Sequence, residues 1–326
     1  MRAPEFVVVG APKCGTTALC RYLGEHPRVY FSPVKEPNYF AVDVPGIRVV
    51  DNLEDYTRLF RLAGPTQIRG EGSTSYLFSK MAVPAILEYN PHTRLIIMVR
   101  NPLDMVPAYH NQKLYSFQED QPDFSVAWRM SVDRSLGMSI PTTCLASAYL
   151  NYHAVGRLGE QVKRVLDWAP SDQVHVIVFD DFVANTSLVF AEILRFLELE
   201  PVERSEFHAF NARKTHRVPI LARSIMHPPP ALRQMKWALR RIFPEHIKTF
   251  GAVLHRLNQR PKTRLPVSSE LRDEMVAMFE DDIRLLGALL GRDLTHWLSG
   301  LDSFRWTDRE LGLEGAVACP SRGLSS

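Results

Sequence analysis

Short apolar runs recur along the chain, separated by stretches whose apolar residues fall at helical spacing. Phe6 to Val9 and Arg94 to Val99 are continuous rather than alternating, the pattern of strands buried on both faces of a parallel sheet. Gln173 to Phe179 reads as another buried strand, and Val29 to Phe31 and Ile68 to Glu71 as shorter ones. Thr17 to Gly24, Asp51 to Phe60 and Leu145 to Leu166 are expected to be helical, and Glu270 to Leu290 is a longer amphipathic helix. This alternation, with no internal repeat or heptad run, predicts an α/β fold with a parallel sheet flanked by helices on both faces.

The segments that follow the strands carry the candidate chemistry. After the first, Gly10-Ala11-Pro12-Lys13-Cys14-Gly15-Thr16-Thr17 sets four residues between two glycines and runs into a helix. Such a loop lets successive backbone N–H groups converge on an anion at the helix N-terminus. An ordinary glycine-rich turn has the same outline. In a nucleotide-binding P-loop the lysine follows the second glycine and reaches the terminal phosphate. Here Thr16 stands in that position and the lysine is Lys13, inside the loop, which disfavours a kinase-type clamp.

The second strand leads into Ser32 to Phe40, whose two prolines exclude a central strand and place Lys35 and Glu36 where open α/β sheets hold ligands. A solvated surface pair is the competing reading. The hydroxyl-rich run Ser73-Thr74-Ser75-Tyr76 follows the third strand. The Arg94 strand stops at Arg100-Asn101-Pro102, where a planar guanidinium suits phosphate and the proline opens a helix. His110 and Gln112 lie two apart on that helix and do not share a face, so each is read as a surface or cleft residue rather than a metal ligand. Asp180-Asp181 imitate a magnesium-binding pair, but the phosphate loop lacks the lysine and hydroxyl that such an enzyme places beside it.

Composition narrows the class. The 326 residues are 45% hydrophobic and 23% charged, enough for one large domain, and the net charge of +3 is too slight to imply a nucleic-acid partner. The four cysteines show neither C-x-x-C nor zinc spacing and point to a reducing, cytoplasmic setting. The first strand begins by Glu5 or Phe6, leaving no room for a signal peptide, and no apolar run approaches the roughly 20 residues of a membrane span. A single domain over 1–300 is expected, with 218–266 as a basic helical insertion near the C-terminus and 301–326 as a flexible tail.

Three motifs in order, Pro12-Lys13-x-Gly15-Thr16-Thr17, Lys35-Glu36-Pro37-x-Tyr39-Phe40 and Arg100-Asn101-Pro102-x-Asp104, resemble the PAPS-dependent sulfotransferases of the bacterial and heparan sulfate N-sulfotransferase type. Weaker matches are Glu71-x-Ser73-x-x-Tyr76, Asp180-Asp181 with Phe196-Leu197-x-Leu199, and a closing Leu294-x-x-Trp297. The resemblance implies a P-loop-like fold that moves a sulfuryl group from 3′-phosphoadenosine 5′-phosphosulfate (PAPS) to a hydroxyl or amine, giving PAP, with no metal required. It also implies that Lys13, Cys14, Gly15, Thr16 and Thr17 hold the phosphosulfate and Arg100 the 3′-phosphate, with Lys214 or Arg217 of a late basic loop capping it. Lys13 and Glu36 are the implied catalytic residues, Glu36 as base, with His110 the next candidate. The chain departs from the family at Ala108, where a serine is usual, and Ser116 or Tyr109 are the nearby substitutes. The acceptor is left open among small molecules, lipids and glycans, and the alternatives are a P-loop small-molecule kinase or a PAP(S)-binding protein without catalysis.

Overall fold

The computed structural model describes residues 3–202, 207, 214–226, 258–261 and 267–299. Strand β1 (Phe6–Gly10) leads through a tight loop to α1 (Thr16–Gly24) and then to β2 (Val29–Phe31). After α2 (Leu53–Arg58), β3 (Ile68–Gly72) and α3 (Ala82–Tyr89), the chain enters β4 (Arg94–Val99) and α4 (Pro102–Tyr115). Helices α5 (Phe124–Arg129), α6 (Ser131–Ser135), α7 (Tyr152–Gly156) and α8 (Leu158–Trp168) precede β5 (Val174–Val178), α9 (Phe179–Ala184) and α10 (Thr186–Phe196). The five strands form one parallel sheet in the order β2-β3-β1-β4-β5. Successive side chains of a strand point to opposite faces, so the complete burial of all five β1 residues means that both faces of the sheet centre are covered.

Local signals set most helix ends. Asn101 accepts from the Leu103 N–H (2.9 Å) with Pro102 behind it to start α4, and Asn52 accepts from the Asp55 N–H (2.9 Å) to start α2. The last helix, α12 (Ser269–Leu290), opens on the Ser268 hydroxyl and closes on Gly291 at φ 61°. Before it lie the strand β6 (Lys214–His216), α11 (Pro219–Met226) and β7 (Gln259–Pro261).

The structure corrects three expectations. Leu145 to Leu166 is not one helix but a 3-10 turn (Ser147–Leu150) followed by α7 and α8. Asn151 caps α7 through the Ala154 N–H (3.1 Å), while α8 is capped from outside. The Asp282 carboxylate of α12 accepts the Gly159 and Glu160 N–H groups, both at 2.8 Å, a tertiary cap with no local signal. The basic loop ending at Arg217 contains β6, which pairs antiparallel with β7, so the C-terminal end of the expected helical insertion is strand and α11 is its described helix. Residues 227–257 of that insertion and the 301–326 tail lie outside the described residues.

A buried ion pair fastens the helical layer beside α4. Arg134 of α6 and Glu119, both with side chains wholly out of solvent, are joined directly, and the Tyr152 hydroxyl donates to the same carboxylate at 2.7 Å. Burial pushes the Glu119 carboxyl up, but hydrogen bonds from Arg134, the Gln121 backbone and Tyr152 outweigh it and hold the group below its ordinary value. Removing one partner would leave the other charge uncompensated in the interior. Arg134→Met is therefore expected to lower the unfolding free energy by about 3–5 kcal/mol in urea titrations at pH 7. The difference should narrow as pH falls below the carboxyl range, because stability carried by a depressed carboxyl is lost as pH falls through its folded pKa. A loss below about 1 kcal/mol would show that the pair is energetically neutral.

Candidate functional site

Because the sheet is parallel, all five strands end at one edge. The chain passes from β3 on one side of β1 to β4 on the other, so the crevice above β1 and β4 lies at a topological switch point, the usual ligand position in such sheets. Residues 11–15 form the floor. The Ala11 N–H donates to the Met98 carbonyl (2.7 Å), which ties the loop to the end of β4. Gly15 sits at φ 90°, backbone that disfavours a side chain, with tight space around it: a Cβ would meet Met98 Cε and the Phe179 ring at 3.2 Å, and the residue starts α1 without any side-chain cap. Gly10 is similarly confined at φ 149°, where a Cβ would lie 2.9 Å from the Thr74 carbonyl oxygen. Lys13 lies between them in the left-handed region at φ 64°.

Arg100 closes the opposite side. Its guanidinium lies 4.6 Å from the Phe179 ring centroid and donates to the Lys13 carbonyl at 3.3 Å. Among the described residues that is its one hydrogen bond, so most of its planar fork faces no protein acceptor. The α1 N-terminus, the loop that carries Lys13 and the Arg100 guanidinium thus meet at one edge of the sheet, an arrangement suited to an anion.

The loop after β2 carries the candidate acid–base group. Glu36 and Asn38 both adopt φ 52°, a conformation that asparagine visits readily but that costs a residue such as Glu36 about 1–2 kcal/mol. The Glu36 side chain is 36% exposed and lies 4.0 Å from Lys35 Nζ, which in turn reaches the Thr17 hydroxyl at 3.4 Å and links this loop to the phosphate loop. Burial pushes the Glu36 carboxyl up; Lys35, Lys113 and a hydrogen bond from Thr74 act against it.

Lys113 is the site residue that the motifs do not reveal. It lies on α4, 8% exposed, with Nζ donating to Gln118 Oε1 (3.0 Å) and sitting 5.0 and 4.9 Å from the Tyr109 and Tyr149 ring centroids. Burial lowers its pKa to about 8, against the opposing pull of Cys144 and Glu36. A sequence signal existed: Val106, Tyr109, His110 and Lys113 occupy an i, i+3, i+4, i+7 stripe, so a lysine ends the core-facing side of the helix.

The remaining expectations sort by placement. Cys14 is buried, its Sγ 3.4 Å from the Pro12 carbonyl and its thiol pushed up to about 12 by burial despite Arg100 and Lys13, so only its backbone faces the crevice. Thr16 is also buried, and Thr17 is half-buried beside Lys35. His110 does not line a cleft. It is 1% exposed, Nε2 is 2.8 Å from the Gln121 carbonyl, and the ring packs against Phe124 and Tyr152 at 5.3 and 5.6 Å. Ser116 gives its hydroxyl to the Lys113 carbonyl (3.2 Å), and both Ala108 and Tyr109 are buried. β6 docks through His216, stacked on Tyr115 at 4.2 Å, at the end of α4 that bears Lys113 and away from Arg100. Arg217 follows it, exposed, and the Lys214 side chain lies outside the described residues. Asp180 and Asp181 are structural: Trp297 Nε1 donates to Asp180 (2.8 Å) and Arg292 pairs with Asp181.

Comparison with known proteins agrees with this geometry. The sulfotransferase domain family matches residues 3–264. Carbohydrate sulfotransferase 15 of Homo sapiens is 28% identical, over 62% of this chain and 45% of that protein. Heparan sulfate glucosamine 3-O-sulfotransferase 5 of Mus musculus is 23% identical, over 61% and 54%. The chain thus spans about half the length of the curated relatives it matches. A sulfotransferase from Alicyclobacillus acidocaldarius has the same fold, with a TM-score of 0.66, 24% identity and coverage of 91% of this chain and 99% of that one. Matched over most of its length, and with its phosphate loop, glutamate loop and arginine gathered at one sheet edge, this chain belongs to the sulfotransferase domain family.

Proposed function

We propose that this chain moves the sulfuryl group of PAPS to a hydroxyl or amine of an acceptor, releasing PAP and a sulfated product. The observation that carries the reading is the meeting of the uncapped α1 N-terminus, the loop that carries Lys13 and the Arg100 guanidinium on one side of the crevice with Glu36 on the other, linked through Lys35 and Thr17. Lys13 and the amides of residues 15–17 suit the 5′-phosphosulfate, and Arg100 suits the 3′-phosphate. PAPS supplies an activated sulfuryl group whose transfer, like phosphoryl transfer, is governed by positioning and by stabilisation of charge on oxygen. Glu36 takes the acceptor proton, and a raised pKa suits a base working near neutral pH. The names of the relatives favour a carbohydrate hydroxyl as the first acceptor to test. The free cysteines, Cys14 buried and Cys20 half-buried, support a reducing, cytoplasmic setting within the same reading.

Binding tests the nucleotide half. PAP at 100 times its dissociation constant, with EDTA present, should stabilise the protein by about 2.7 kcal/mol. Arg100→Ala should weaken PAP while leaving AMP, which has no 3′-phosphate, largely unaffected in the same melting assay. Stabilisation by magnesium-ATP and none by PAP would assign phosphoryl transfer instead.

Catalytic roles separate by mutation. With labelled PAPS and a carbohydrate acceptor, Glu36→Gln should lower turnover by about 10²–10⁴-fold with little change in PAP affinity. Lys13→Ala should reduce both, since its charge meets the ligand before and during transfer. Near-normal turnover in Glu36→Gln would remove the base assignment.

Lys113→Gln should move the acidic limb of kcat/KM to higher pH. Loss of the cation raises the Glu36 pKa, and the base is ionised only above it. An unmoved limb would show that Lys113 does not act on Glu36.

A further inference from the structure

Beneath the Glu36 loop lies a carboxylate with no part in the chemistry described so far. Glu71, at the end of β3, is wholly buried and carries three hydroxyl donors: Tyr56 at 2.8 Å and Tyr76 at 3.0 Å on Oε1, and Ser73 at 2.8 Å on Oε2. Two of those hydroxyls also accept from the Glu36 loop. The Asn38 N–H donates to Ser73 Oγ (3.1 Å) and the Phe40 N–H to Tyr76 Oη (3.4 Å). Ser75 adds a third tie, donating to the Asn38 side-chain oxygen at 2.5 Å.

The directions of these bonds follow from elementary donor counting. A backbone N–H only donates, so Ser73 and Tyr76 accept from the loop and keep their single protons available for Glu71, whose oxygens lie within hydrogen-bond reach of both. Both Glu71 oxygens are therefore acceptors, which is the ionised carboxylate. A protonated Glu71, or a glutamine, places a donor where the carboxylate offered an acceptor, so at least one hydroxyl must turn its proton elsewhere and the network that holds the loop is rearranged. We propose that Glu71 is a positioning residue which, through Ser73 and Tyr76, holds the backbone of Asn38 and Phe40 and so places Glu36 against the phosphate loop. This rests on the reading of Glu36 as the base. It assigns a physical role to the spacing Glu71-x-Ser73-x-x-Tyr76: Glu71 supplies the acceptor, and Ser73 and Tyr76 pass it on to the loop.

The loop needs this support. Glu36 holds left-handed backbone that its side chain does not favour, and such a conformation persists only where the surroundings impose it. Tyr39 stacks on Tyr56 at 4.5 Å, and Phe40 packs against Tyr56 and Tyr76 at 5.1 and 6.0 Å, so the tyrosines that bond Glu71 also clamp the aromatic end of the loop. The titratable groups facing Glu71 are Tyr56 from α2, Tyr76 after β3, Cys20 from α1 and Glu36 itself. Burial raises the Glu71 carboxyl to about 7, so the relay loses its ionised acceptor as pH falls below neutrality.

The test reads backbone and turnover together. In the full chain, Ser73→Ala should accelerate amide exchange at Asn38 and Tyr76→Phe at Phe40, each by about tenfold, and Glu71→Gln should accelerate both. Each variant should lower kcat by about 10–100-fold while PAP affinity holds. The Glu71→Gln, Ser73→Ala double variant should lose no more turnover than Glu71→Gln alone, since the two residues act in one chain. If Glu71→Gln does not fold, the Ser73 and Tyr76 variants carry the same site-specific reading. Unchanged exchange at the named amide, faster exchange with kcat within about twofold of wild type, or multiplicative losses in the double variant would each overturn the relay. Glu36→Gln run beside them separates the two readings. Full turnover there removes the base assignment, and the relay as a device for placing the base with it. Lost turnover there, with none lost in the relay variants, removes the relay alone.

Discussion

β1 is paired in parallel with β3 and β4 and covered on both faces, so the crevice residues that follow it emerge only at its carboxyl end. Parallel pairing gives its neighbours the same polarity. The phosphate loop, the Glu36 loop, Arg100 and Phe179 therefore share one edge, although they come from residues far apart in the chain. Shifting β1 out of its pairing would separate Lys13 from Arg100, whose guanidinium reaches the Lys13 carbonyl because β1 and β4 end side by side.

At that edge, burial works against the charged forms of Cys14, Glu36 and Lys113, and the outcome depends on what stands nearby. Cys14 is buried without an ion-pair partner strong enough to offset it and stays a thiol. Glu36 keeps cations on two sides, Lys35 from its own loop and Lys113 from α4, which limit the rise that burial causes. Lys113 is pushed the other way by the same burial, held by Gln118 and two tyrosine faces. A carboxylate and a cation thus moderate each other in a partly dry cleft. Glu71 lies one layer deeper, with hydroxyls instead of cations around it, and this makes it sensitive to protonation near neutral pH.

The C-terminal helix closes the construction from the far side. α12 caps α8 through Asp282, and the Leu294 to Trp297 turn anchors Asp180 through the Trp297 indole. The Asn101 side chain, which caps α4, also donates to the Trp297 carbonyl at 3.2 Å, so the segment that carries Arg100 into its helix is braced by the last described part of the chain. The closing Leu-x-x-Trp is distant from Arg100 in sequence, yet it supports the arginine's position.

What the sequence determined by itself was the set of strands, their parallel class and the loops that follow them. Continuous apolar runs, prolines and glycines are local properties of the chain, and Lys13, Glu36 and Arg100 were legible because each directly follows such a run or lies in the loop that does. Only the tertiary structure decided which polar side chains are buried and what they meet. Periodicity gives the face of a helix but not how deeply that face is covered. His110, read as a surface or cleft residue, is therefore packed away, while Lys113, three residues on, reaches the active cleft. The bonds that organise the Glu36 loop join Asn38 to Ser73 and Ser75 and Phe40 to Tyr76, and Tyr56 to Glu71, all between segments separated by other elements. Their partners are set by strand order and register, which place β3 between β2 and β1, and no local pattern encodes that adjacency.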